Sequence, residues 1–129
     1  MSFFSSLVHS SDLKARWRML MWLLMAVTCA FAFAPNAPGL NFDNSDKVQH
    51  MLAFGSVAVC ALLSGDARGR SVVLVLAAML GFGVFIEVVQ AFLPSRTADW
   101  KDVVADMLGA GLGVLAVAAA RRVIPARSS

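Results

Sequence analysis

The chain has 129 residues, of which 59% are hydrophobic and only 15% charged, and its mean hydropathy is +0.74. A soluble domain of this size needs more polar surface than that, so the composition excludes an ordinary water-soluble enzyme or binding module and points to a single membrane-embedded domain. The net charge of +3 and pI near 9.4 do not indicate nucleic acid, because the basic residues are gathered on no soluble, aromatic-interleaved face.

In chain order, residues 1–16 read as a short, partly frayed leader in which His9 is solvated. Lys14, Arg16 and Arg18 precede an apolar run over 17–34 that ends Ala32-Phe33-Ala34. This outline also fits a secretory signal with a small-residue cleavage site. The run is longer than a usual signal core, however, and Pro35 directly after that site suits a protease cleft poorly. The segment therefore reads as a retained helix. Further apolar runs cover 48–64, 71–93 and 103–120. Each is near the roughly 17 to 25 residues that a spanning helix needs, and the connectors carry Pro35, Pro38, Gly65, Gly69 and Pro94. The expected fold is all-α: one integral membrane four-helix bundle over 17–120, followed by a basic tail at 121–129, with no internal repeat.

Short loops keep basic residues on the cytoplasmic side. Lys14, Arg16 and Arg18 precede the first helix, Arg68 and Arg70 separate the second and third, and Arg121, Arg122 and Arg127 follow the fourth. The other side holds Lys47, Arg96 and Lys101. Both termini are thus expected inside, in a bacterial inner membrane crossed several times. Trp17 and Trp100 fall near opposite interfaces as belt residues, and Trp22 faces lipid.

This topology groups the polar residues. Asp46, Lys47 and His50 lie at the outer end of the second helix, Glu87 and Gln90 near the outer end of the third, and Asp102 and Asp106 at the outer start of the fourth. At 1.5 Å per residue, His50, Glu87 and Asp106 fall roughly 5 to 10 Å below the outer helix ends. A charge in lipid costs roughly 2.5 to 3.5 kcal/mol at mid-membrane, so such residues are functional candidates. Spacings of three, four and seven put Asp46 with His50 on one face, Gly83, Glu87 and Gln90 on another, and Asp99, Asp102, Asp106, Gly109 and Gly113 on a third. Small residues let helices approach and polar ones bond across the contact, so these stripes face inward.

The segment Asp46-Lys47-x-x-His50-x-x-x-Phe54 resembles the opening motif of the VanZ-like family. The series Glu87-x-x-Gln90-x-x-x-Pro94-x-Arg96, then Asp102-x-x-x-Asp106-x-x-Gly109-x-x-x-Gly113, resembles that family's second signature. The resemblance spans about 46–113 and departs at Asp106, where the family often has Asn. It implies a small bacterial membrane protein with an envelope-related role, the namesake being associated with resistance to teicoplanin. It implies no settled biochemical activity.

Several kinds of chemistry fit the layer. In a structural role, Asp46 caps the second helix or pairs with His50, and Arg96 or Lys47 neutralises Glu87 or Asp102, locking the helices in register. In a binding role, Arg96, Lys47 and Lys101 meet the phosphate of an anionic lipid or lipid-linked glycan while Asp102 and Gln90 meet sugar hydroxyls. In a catalytic role, His50 with Asp46 or Glu87 acts as a base and its orienting partner. His50 plus several carboxylates could instead hold a divalent metal for a metal-assisted reaction, but one His without a closely spaced second ligand is weak evidence for it, and no metal or cofactor is expected. Ser56 and Ser64 lie too far along the helix to be nucleophiles beside His50. Proton transport is disfavoured because the polar groups stop partway. Gly109-x-Gly111-x-Gly113 lies within an apolar helix and is no nucleotide loop. Cys29 and Cys60 fall at different depths, which argues against a disulfide. Nothing in the sequence indicates a homo-oligomer.

Overall fold

The computed structural model describes residues 11–35, 42–65 and 69–124. They form four helices: α1 (Ser11–Phe33), α2 (Ser45–Leu63), α3 (Gly69–Ala91) and α4 (Trp100–Val123). The fold is all-α. The leader with His9, Pro38, Arg68 and Arg127 lie outside the described residues.

The helices outrun the apolar segments at their polar ends. α1 begins at Ser11, taking Lys14, Arg16 and Arg18 into its first turns, and α2 and α4 begin at Ser45 and Trp100. Hydropathy marks where a helix meets lipid, whereas backbone hydrogen bonding continues until a cap ends it. At α4 the cap is Asp99, whose side chain accepts from the Lys101 N–H at 3.0 Å. At α2 the cap position is Asn44, in the left-handed region at φ 60° and without a side-chain cap bond. The expected cap Asp46 instead lies in the first turn, bonded to Lys47.

The core lies where α2, α3 and α4 meet. Phe54, Val57, Ala58, Met79, Ile86 and Ala110 are buried together, with Phe54 and Phe82 stacked at 5.3 Å between ring centres. α2 and α4 make the closest contact. A Cβ on Gly109 would lie 2.2 Å from the Met51 carbonyl oxygen, and one on Gly113 would lie 2.7 Å from that of Gly55. Only hydrogen fits there, so the glycine pair sets the approach of the two helices. α1 packs from outside the trio, with Met21, Leu24, Met25, Ala32 and Phe33 against the core.

The remaining surface is apolar. Trp22 on α1, Val73, Leu74 and Phe85 on α3, and Leu108, Leu112 and Leu115 on α4 are all exposed. So broad an exposed apolar surface suits lipid and not water. By length and hydropathy, Asp12–Phe33, Ser71–Ala91 and Trp100–Val123 each suffice to cross a membrane. α2 falls outside this group because it opens Ser-Asp-Lys-Val-Gln-His, four polar side chains in six residues besides its terminal serine. Those polar residues build the site.

Candidate functional site

The end of α1, the start of α2, the end of α3 and the start of α4 lie together, so their polar residues converge. Lys47, one turn into α2, reaches across to α4: its Nζ lies 3.2 Å from Asp102 Oδ1, 3.5 Å from Asp99 Oδ2 and 3.1 Å from its neighbour Asp46. One turn further along α2, His50 places Nδ1 2.7 Å from Asp106 Oδ1 and Nε2 3.7 Å from Asp102 Oδ2. His50 thus pairs with α4 and not with Asp46, because its side of α2 faces α4 while Asp46 stays exposed at the rim.

Asp106 is fully buried, and Gly83 of α3 makes room for it: a Cβ there would lie 2.7 Å from Asp106 Oδ2. Glu87, one turn further along α3, accepts the Asp99 N–H at 2.8 Å through Oε2. This contact fastens the loop before α4 to the end of α3. Asp99 is therefore a member of the layer that sequence reasoning did not include in its pocket. Its signal was an acid directly before a helix start, at the spacing of Asp102 and Asp106.

Gln90 and Arg96 turn the other way. Gln90 donates to the Ala32 carbonyl at 3.0 Å, and Arg96 donates to the carbonyls of Phe31, at 2.8 Å, and Ala34. The last carbonyls of a helix have no partners within it, and these two side chains supply donors at the end of α1. Arg96, expected as an anion contact, holds α1 in place and stands apart from the acids. No sequence spacing could disclose this, because the partners are backbone atoms.

At the rim, outside the apolar spans, the charges reinforce one another. The Lys101 N–H first, and the Lys47 ammonium after it, hold Asp99 below the usual carboxylate range despite some desolvation. At Asp46 partial burial is the largest single effect and raises it, but the side-chain and backbone hydrogen bonds and the charge of Lys47 together outweigh it, and Asp46 too is lowered. Hydrogen bonds to Asp46 and Asp102 push Lys47 above an ordinary lysine. Deeper in, Glu87 Oε1, Gln90 Oε1 and Asp106 Oδ2 are buried without a hydrogen-bond partner. Cys29 and Cys60 are free thiols, while Ser56 and Ser64 donate to carbonyls of their own helix.

Both sequence signatures therefore meet in one layer, and the sequence model of the VanZ/LLP1 family matches residues 2–121. The chain belongs to the VanZ/LLP1 family. No curated protein and no solved structure gives a match. In this VanZ-type membrane protein the signature residues divide into three sets. Lys47 and His50 reach from α2 to the acids of α4, joined by Glu87 of α3. Gln90 and Arg96 secure α1. Gly83, Gly109 and Gly113 give the space in which the first set meets.

An apolar groove of about 730 Å³ lies between α1, α2 and α4, lined by residues such as Leu20, Leu24, Leu52, Gly55 and Leu112. It shares no lining residue with the polar layer. Gly83 of α3 abuts Asp106, so the layer lies on the α3 side of the α2–α4 contact and the groove on the α1 side.

Proposed function

We propose that this protein is an envelope-related VanZ-type protein of the bacterial inner membrane, crossing it four times with both termini inside, whose polar layer receives the headgroup of a membrane lipid or lipid-linked glycan in the outer leaflet. Acceptors outnumber donors among the buried polar atoms that lack a partner: Glu87 Oε1, Gln90 Oε1 and Asp106 Oδ2 against Arg96 Nε, and this surplus carries the reading. A buried acceptor without a donor costs about 1–3 kcal/mol, and hydroxyls of a bound headgroup would offset that. Lys47 is already held by carboxylates and Arg96 Nη2 by carbonyls, which leaves mainly acceptors unpartnered, so the layer favours a hydroxyl-rich headgroup over a bare phosphate. Entry lies at the rim, where the side chains of Lys47 and Asp99 keep 27% and 37% of their surface exposed. Exposed Phe42, Phe92 and Trp100 stand at the same end of the bundle, where aromatic side chains suit the headgroup region. An outer-leaflet site also accords with the association of the family's namesake with resistance to teicoplanin, a lipid-tailed antibiotic.

A structural role is favoured for two of the residues by their contacts, since the Gln90 amide nitrogen and one Arg96 terminal nitrogen tie α3 and its following loop to α1. Native mass spectrometry of the protein extracted in mild detergent tests the binding role. A co-purifying glycolipid or polyol lipid is expected on the wild type, with occupancy at least about tenfold lower on Glu87→Gln. Equal lipid retention by both proteins, or none by the wild type, would contradict it.

A further inference from the structure

We propose that His50, Glu87 and Asp102 form a divalent-cation site, suited to Mn2+ or Zn2+. Each offers one ligand atom, and the three atoms lie within 4.8 Å of one another. They come from α2, α3 and α4, so the fold and not local sequence brings them together.

The first argument is the orientation of His50. Its Nδ1 lies 2.7 Å from Asp106 Oδ1, and a neutral ring that donates there carries its proton on Nδ1. Nε2 then presents its lone pair towards Asp102 Oδ2, 3.7 Å away. A carboxylate that fixes the far nitrogen of a ligating His is a recurrent outer-shell device at metal sites. Asp106 occupies that position, fully buried and immobilised against Gly83.

The second argument is independent of the first. Glu87 is only 8% exposed, and its Oε1 has no hydrogen-bond partner while Oε2 is held by the Asp99 N–H. A buried carboxylate oxygen without a donor, on one of three converging residues, itself points to a missing positive ligand. Charge agrees with this, because the five carboxylates of Asp46, Glu87, Asp99, Asp102 and Asp106 are met among the described residues by Lys47, which pairs with three of them, and by His50, while Arg96 is engaged on α1. A dication would balance that excess in a setting where unpaired charge is costly.

One nitrogen and two carboxylates suit a borderline or hard ion. At bond lengths of about 2.0–2.2 Å, neighbouring ligands of one ion stand roughly 3 to 3.6 Å apart. His50 Nε2 and Asp102 Oδ2, at 3.7 Å, are already close to that spacing, and the whole trio, within 4.8 Å, draws in around a bound ion. Glu87 Oε1 serves either a headgroup hydroxyl or the cation, so the cation site stands without the lipid reading and Mn2+ titration reads it separately.

The test uses the full-length protein in detergent, stripped with chelator and titrated with Mn2+. Electron paramagnetic resonance should show one saturable ion per chain, and its pulsed form should show coupling to one imidazole nitrogen. Glu87→Gln keeps an oxygen for the Asp99 N–H and should weaken Mn2+ binding at least about tenfold, with circular dichroism unchanged. Absence of a stoichiometric site in the wild type, lack of nitrogen coupling, or undiminished binding by a folded Glu87→Gln protein would overturn the proposal.

Discussion

The carboxylates of this layer differ in what holds them. Asp99 joins two functions: Oδ1 caps α4 through the Lys101 N–H, and Oδ2 faces Lys47. Asp99→Asn keeps a capping oxygen and removes the charge, so it isolates the ion pair. Because the folded protein holds Asp99 below its usual range, its ionic contribution is present above the unfolded pKa and lost as pH falls through the folded one. Wild type should therefore melt slightly above Asp99→Asn from about pH 5 to 8, with the gap closing below about pH 4. Thermal melting in detergent across that range checks this, and a gap that widened on acidification would contradict the assignment. Individual residues were legible in the sequence as charges out of place, but their partners were only partly so. Spacing paired Asp46 with His50 along one helix, whereas the long reach of Lys47 and the inward side of His50 favour partners on α4. Arg96 looked like an anion contact because its true acceptors are carbonyls, which every residue carries.

Among the elements, α2 and α4 form the rigid pair on which the layer is built. Gly109 lets α4 rest on the Met51 backbone, and a methyl there meets carbonyl and Cα atoms that cannot swing aside. Gly109→Ala should cost about 1–3 kcal/mol, the usual range for overpacking, and lie towards its upper end. Gly111, where an added Cβ would meet nothing within 4 Å, is the matched control: Gly111→Ala should be neutral or mildly stabilising, since alanine favours a helix over glycine by about 1 kcal/mol. Equal losses at both positions in equilibrium unfolding would show that the helix seam is not the cause. The helices themselves were readable from apolar run length. Their ends were less so, because Asn44 and Asp99 set them through local backbone geometry outside the apolar runs.

For the whole molecule, the family signatures and the fold agree on one feature: polar residues from three helices meet at a single end of an otherwise lipid-compatible bundle. The sequence disclosed this grouping through helix direction and depth. It could not disclose the tie to α1 or the separation of the polar layer from the apolar groove, both of which depend on which sides of the helices meet. The proposed headgroup and cation sites share that end of the bundle, and an outer-leaflet site requires it to face outward. Exposed Asp43 and Ser95 lie beside it, before α2 and between α3 and α4. In a background with Cys29 and Cys60 replaced by alanine, Asp43→Cys and Ser95→Cys should both react in intact cells with a membrane-impermeant maleimide. Labelling of either position only after the membrane is opened would contradict an outward-facing polar layer.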